Sequence, residues 1–316
     1  LLSQESACLY NYKSYAVWVL FLERDEMKKN ICVVSVQIEV AALHNEDNIK
    51  KSLNIMTAAV KENGSVDLFV LPEDFITGPI PNHTDTHCLN NDSAEIRTFR
   101  SFAKQNKCYV VLGSFIKKID NKLYNTTLVI DRFGETILEH KKTNLWLSER
   151  SYLSPGVQQE VVKTDIGTIG ILNCWEISNP ETCRRLVEKG ADILCCPSWW
   201  STRDSSTRLR RLNPDSDVFF INTILPARSV ESSAFVIYSN ISGKNNTLKL
   251  KTKEVSLAGA GQSQICSPST GVIKRLSKDQ KDTYVSALLD RSQLAIIEQS
   301  YQIRKDMGRE LEPSKA

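Results

Sequence analysis

A single α/β domain is the fold class that the sequence predicts, on three observations. Apolar runs of strand length alternate with stretches of helical period along the whole chain. No segment rich in Pro, Gly or Ser divides them. The length, 316 residues, is enough for one large core from which water can be excluded. With 41% hydrophobic and 24% charged residues the composition is that of a globular protein, which excludes disorder and a mini-protein scaffold.

Residues 1–27 read as an extension outside the fold. Their apolar run, 15–22, is too short to cross a bilayer, which needs about 20 residues. With only Lys13 as a basic flank and no small-residue cleavage site behind it, it does not read as a signal peptide either. Residues 28–290 form the expected domain and 291–316 a terminal helix with a charged tail. Within the domain, 31–40 is a strand run, and 45–63 is a helix with Ile49, Leu53, Met56 and Val60 on one face. Strand 67–71 and helix 94–105 follow. Residues 109–119 and 123–131 read as strands joined at Asp120-Asn121, and another strand ends near Lys142. A polar loop punctuated by Ser154-Pro155-Gly156 leads to strand 167–173, which ends at Cys174. Helix 181–189 is closed by Gly190. Residues 193–196, 218–225, 234–240, 261–266 and 285–289 read as further strands.

Lys and Arg number 40 against 37 Asp and Glu, so the net charge of +3 creates no long-range field suited to a polyanion. A small-molecule partner is expected instead of nucleic acid or a membrane. The nine cysteines are an odd number with no C-x-x-C pair, which argues against a disulfide framework and a zinc ribbon. Most read as small apolar fillers in a reducing, cytoplasmic compartment. The sequons at Asn63, Asn82, Asn91, Asn125, Asn240 and Asn245 are read as incidental, since no leader supports secretion.

Loops at strand C-termini are where α/β sheets collect reactive side chains. Three such ends carry a carboxylate, an ammonium and a thiol: Glu73, Lys142 and Cys174. A thiol with an unperturbed pKa of about 8.5 needs a base or a neighbouring cation to attack at neutral pH. Glu73 can take its proton, and Lys142 can hold the thiolate and later an oxyanion. Taken singly, each residue has a blander explanation, as a solvated cap, a surface lysine and a core filler.

The words around them resemble those of the carbon-nitrogen hydrolase family, the nitrilase superfamily. Leu71-Pro72-Glu73 is similar to its glutamate motif, His140-Lys141-Lys142-Thr143-Asn144-Leu145 to its lysine motif, and Ile171-Leu172-Asn173-Cys174-Trp175-Glu176 to its cysteine motif. Further echoes are Glu149-Arg150-Ser151-Tyr152, Pro197-Ser198-Trp199, Ala227-Arg228-Ser229 and Gly261-Gln262-Ser263, within coverage from about residue 31 to about residue 290. The resemblance implies a four-layer αββα sandwich of two mixed sheets, a Glu73, Lys142, Cys174 triad and no cofactor or metal. It implies amide or nitrile hydrolysis through a thioester or thioimidate, a second glutamate at Glu149, and a homodimer or larger homo-oligomer. The Trp175 backbone NH is expected as the second oxyanion donor; Trp199 and Trp200 are core or rim packing by default, while their place after a strand end makes Trp199 the candidate pocket wall that positions substrate. The bland alternative for Glu149 is a surface salt bridge with Arg150.

Asn144 stands where histidine is frequent, Trp175 where tyrosine is common, and Ile177-Ser178-Asn179 replaces a stretch that often carries Phe. Trp175-Glu176 points to the nitrilase branch, while the lysine motif and the Glu149 loop point to amidases, so both remain open. An association protein with an unused triad is the alternative from another class; retention of all three residues favours the enzyme.

Weaker constellations carry less. His83, His87 and Cys88 have a spacing that could hold zinc on a helix, but the surrounding Pro79, Pro81, Asn90 and Asn91 read as loop. Arg203, Arg208, Arg210 and Arg211 read as a solvated helix face, with an anionic substrate group as the alternative. Gly259-Ala260-Gly261 lacks the third glycine of a dinucleotide fingerprint, and no G-x-S-x-G offers a serine nucleophile. In the terminal helix, Leu294, Ile296, Ile297 and Ile303 are expected to dock on a neighbouring copy.

Overall fold

The computed structural model describes residues 28–81 and 84–307. The expected N-terminal extension, Cys8, Asn82, His83 and the last nine residues lie outside them. In chain order the first half comprises β1 (Asn30–Gln37), α1 (Asn45–Asn63), β2 (Leu68–Val70), α2 (Thr84–His87), α3 (Ala94–Asn106), β3 (Tyr109–Val111), β4 (Phe115–Ile119), β5 (Lys122–Ile130) and β6 (Thr136–Lys141). A loop with a short 3-10 turn at Glu149–Ser151 leads to β7 (Val161–Thr164) and β8 (Gly167–Ile171), then to a second 3-10 turn at Cys174–Ser178. There follow α4 (Pro180–Glu188), β9 (Ile193–Pro197), α5 (Thr207–Leu212), α6 (Ser216–Ser232) and β10 (Phe235–Ser239). The chain continues with β11 (Asn246–Lys249), β12 (Glu254–Leu257), β13 (Gln264–Ser267), β14 (Gly271–Arg275), β15 (Thr283–Asp290), α7 (Ser292–Tyr301) and α8 (Ile303–Met307).

The strands form a seven-stranded sheet in the order β15-β1-β2-β3-β5-β4, with β6 also on β5, and a six-stranded sheet in the order β14-β13-β10-β9-β8-β7. Both are mixed: β1, β2 and β3 run parallel, as do β8, β9 and β10, while the outer pairs are antiparallel. Side-chain alternation then builds the layers. Ile31 and Val33 of β1 face Ile169, Ile171, Ile193 and Ile237 of the other sheet. Their neighbours Val34 and Val36 face Met56 of α1 and Ile96 and Phe99 of α3. On the second sheet, Leu194, Val236 and Tyr238 face Cys183 and Leu186 of α4 and Ile221 and Leu225 of α6. The result is helix, sheet, sheet, helix, the four-layer αββα sandwich. Central strands buried on both faces explain why β1 and β9 read as continuous apolar runs.

The helices α1, α3 and α4 lie where the sequence places them, to within a residue or two. Three readings change. Residues 218–225, rich in β-branched and aromatic side chains, belong to helix α6. Its buried positions Asp217, Ile221, Leu225 and Arg228 recur at helical spacing, while Phe219 on the outer side is 64% exposed. Apolar residues on two faces hide the helical period, and contact with the second sheet overrides the local preference. The run 109–119 is two strands, broken where Gly113 takes a φ of 43°. Residues 84–87 form a helical turn where a loop was expected. Of the terminal apolar residues, Leu294 and Ile297 are buried in the chain's own body, which leaves Ile296 as the exposed one.

Candidate active site

Strand ends from both sheets converge on one cleft. Glu73 follows β2, Lys142 follows β6, Cys174 follows β8 and Trp199 follows β9, and all four line a cavity of about 130 Å3. The Lys142 Nζ donates to Glu73 Oε1 at 2.8 Å and lies 2.8 Å from Glu149 Oε2. Glu73 accepts on its other oxygen from the Trp199 backbone NH at 3.0 Å. The Cys174 thiol faces the Glu73 carboxylate and the same Trp199 NH.

The Glu149 expectation resolves in geometry: the side chain is buried, and its oxygens receive Lys142, the Asn125 amide at 2.9 Å and the Trp146 NH at 2.6 Å. It makes no bond to Arg150, which donates to the Leu145 carbonyl instead. Trp175 stands second in the 3-10 turn, where backbone NH groups have no partner inside the turn. Trp175 and Trp199 both form part of the cleft wall, together with Trp146 and Trp200.

Electrostatics follow from burial. Desolvation raises the Cys174 thiol well above its ordinary pKa, and the charge of Glu73 raises it further, so the resting group is a neutral thiol. Desolvation, then the neighbouring Glu149 charge, also raises Glu73 in spite of Lys142, which makes it a better proton acceptor than an exposed glutamate. Burial opposes the charge on Lys142, but Glu149 and Glu73 more than offset it and hold the ammonium well above the usual range. The cleft thus holds a permanent cation between two carboxylates, beside a thiol that ionises only by passing its proton on.

Several residues of this centre carry no role in the sequence reading. Asn125, a sequon there, is wholly buried on β5; its amide donates to Glu73 and Glu149 and its carbonyl accepts from Asn173 at 2.9 Å. Glu176 is a second hub. Its carboxylate accepts from the backbone NH groups of Asn173 at 2.7 Å and Thr143 at 2.7 Å, from the Thr143 hydroxyl and Gln159, and lies 2.8 Å from His140. It ties the residue before Cys174 to the residue after Lys142. Desolvation opposes its charge, but His140 and these donors outweigh it and hold the carboxyl down at about 2. The signal was present in the sequence as ionisable residues inside apolar words, His140 in a strand and Glu176 before Ile177. The turn itself is strained: Cys174 has a φ of 52° and Asp74, next to Glu73, a φ of 47°.

Comparison with known proteins agrees with this architecture. The family model described as carbon-nitrogen hydrolase matches residues 32–297. A 2-oxoglutaramate amidase of Bacillus subtilis is 26% identical over 278 residues, covering 87% of this chain and 97% of its own. A carbon-nitrogen hydrolase from Helicobacter pylori G27 superposes with a TM-score of 0.74 at 19% identity, over 88% of this chain and 95% of that one. A mutant of the amidase from Nesterenkonia sp. AN1, with the acetamide moiety of fluoroacetamide covalently added at its active-site cysteine, superposes with a TM-score of 0.68 at 18% identity. The overlap spans 86% of this chain and 96% of that one.

Proposed function

The chain belongs to the carbon-nitrogen hydrolase family, and on that premise we propose that it hydrolyses a small linear amide through a thioester on Cys174. The observation that carries this reading is the meeting of Glu73, Lys142 and Cys174 in one cleft. The Cys174 sulfur attacks the amide carbon while Glu73 takes the thiol proton. Negative charge develops on the carbonyl oxygen, where the Lys142 ammonium and the Trp175 backbone NH receive it. Glu73 then gives the proton to the departing nitrogen, the C–N bond breaks and ammonia leaves. A water attacks the thioester as Glu73 takes its proton, the C–S bond breaks, and Glu73 returns that proton to the sulfur. Glu149 and Asn125 hold Lys142 and Glu73 in register throughout, and Trp199 positions the acyl group.

The substrate is a small molecule, and the free thiols of Cys32, Cys108, Cys174, Cys183, Cys195, Cys196 and Cys266 suit a reducing compartment such as the cytoplasm. Among the described residues no helix is long and apolar enough to cross a membrane. Association into a homodimer is part of the same reading, supported by the exposed Phe219 and Val230 on α6.

An ammonia-release assay over small amides and nitriles, with intact-protein mass spectrometry and peptide mapping, tests the chemistry. The expected result is turnover of an amide with an acyl mass on Cys174. Turnover of nitriles alone would move the protein to thioimidate chemistry. An acyl mass on Cys183, Cys195 or Cys196 would overturn the mechanism; all three thiols are raised by burial and wholly enclosed.

A further inference from the structure

The cleft wall narrows the substrate class, on the premise of the hydrolysis proposed above. Acidic side chains line it at Glu73, Asp74, Glu149 and Asp204, of which burial and then the charge of Glu73 raise the Asp74 carboxyl well above the usual carboxylate range, and Lys142 is the single cation among its described lining residues. That cation is already held by Glu73 and Glu149, each at 2.8 Å. Four tryptophans, Trp146, Trp175, Trp199 and Trp200, stand among the other lining residues. The Trp146 and Trp175 ring centroids lie 4.6 Å apart, and those of Trp175 and Trp200 lie 5.8 Å apart.

Asp204 is fixed by a tight turn, accepting from the Ser201 NH at 2.9 Å and the Ser201 hydroxyl at 2.8 Å. Burial, against the Ser201 donors, and then the charges of Asp217 and Glu73 raise its carboxyl to about 6, which leaves it mostly ionised at neutral pH. The nearby Arg203 and Arg210 line a different groove, and the Arg210 guanidinium is taken up by the carbonyls of Arg203 and Ser205. A substrate carboxylate entering this cleft would lose its water and meet like charge with no counter-cation. An ammonium would meet aromatic faces and a carboxylate, the two environments that stabilise a desolvated cation.

We propose that the substrate is a primary amide whose acyl group carries a positive charge, held between the tryptophan faces and Asp204, and that amides with an acyl carboxylate are rejected. The specificity therefore differs in sign from that of the Bacillus subtilis relative, whose named substrate, 2-oxoglutaramate, is an anion.

Two measurements on the full chain test this. The first compares kcat/KM for γ-aminobutyramide, valeramide and succinamate, matched in length and differing in terminal charge. The ammonium amide is expected first and the carboxylate amide last, about 10²-fold apart. In Asp204→Asn the ratio between γ-aminobutyramide and valeramide narrows by about tenfold. The second measurement needs no turnover. Cys174 is labelled with aminoethyl methanethiosulfonate or sulfonatoethyl methanethiosulfonate, each rate being normalised to a free thiol and the site mapped by peptide mass. The cationic reagent is expected to react at least about tenfold faster.

An order in which γ-aminobutyramide is not first, or faster labelling by the sulfonate reagent, overturns the inference while leaving hydrolysis intact if valeramide is turned over. If no amide or nitrile releases ammonia, the hydrolase reading falls, and the reagent ratio alone decides whether the cleft prefers cations.

Discussion

Glu73 touches four groups of the proposed chemistry: the Lys142 ammonium, the Asn125 amide, the Trp199 NH and the Cys174 thiol. Because the resting thiol is neutral, its reactivity depends on that carboxylate. Glu73→Gln is therefore expected to slow alkylation of Cys174 by iodoacetamide and abolish turnover, measured by stopped assay and mapped mass. Lys142→Ala removes an oxyanion donor and should lower turnover by about 10² to 10³. A Lys142→Ala variant within a few-fold of wild type would remove the lysine from the mechanism. Glu176 makes a separate prediction, about stability. Its carboxyl is held at about 2 in the fold against an ordinary value of 4.5, so its contribution is fully present above about 4.5. That contribution is lost as pH falls through about 2. In urea titrations between those limits the wild type should lose stability more steeply than Glu176→Gln, and parallel slopes would contradict it. At neutral pH the same substitution turns an amide NH2 toward the donors of one carboxylate oxygen, at the least His140 and the Asn173 NH, at a cost of about 3 kcal/mol or more.

At the level of elements, the break between β3 and β4 sets the position of the glutamate. Gly113 has a φ of 43°, and a Cβ built on it would lie 1.9 Å from the Pro72 carbonyl oxygen, inside the Leu71-Pro72-Glu73 word. The backbone just after β3 must press against the chain that carries Glu73. Gly113→Ala is thus expected to displace Glu73, lowering Tm and reducing kcat more than KM, with both read on purified protein. Unchanged kcat would mean that the loop shifts without moving the carboxylate. The turn bearing Cys174 is supported from the other side by α6. There the Arg228 guanidinium donates to the Ile177 and Ser178 carbonyls at 2.9 and 3.0 Å.

For the whole molecule, the sandwich places the cleft at strand ends of both sheets, with the hairpin of β11 and β12 supplying Leu248 and Leu257 to its wall. The outer helical layer leaves Phe219 of α6 64% exposed, and Leu212 of α5 is 84% exposed. Burying such a surface in a two-fold contact is the basis of the proposed dimer. Sedimentation at micromolar concentration should show a species near twice the 35.6 kDa chain mass, and Phe219→Asp should shift it toward monomer. A single monomeric species for the wild type would refute it.

Local order and period in the sequence determined the α/β class, the helices 45–63 and 94–105, and Glu73, Lys142 and Cys174 as a set, because strand ends and their motif words are contiguous in the chain. Glu149 was legible from its word alone. Asn125 was not, since its part comes from bonds to Glu73, Glu149 and Asn173, all distant in the chain, and a sequon reads as a surface site until burial is known. Helix α6 was misread because what makes it a helix is contact with the second sheet, and that contact has no local trace in a run apolar on two faces. The charge of the cleft was equally hidden. Asp204 and Glu73 are far apart in the chain, and only the packing of one sheet on the other brings their carboxylates into a shared, poorly hydrated space where like charge becomes a statement about substrate.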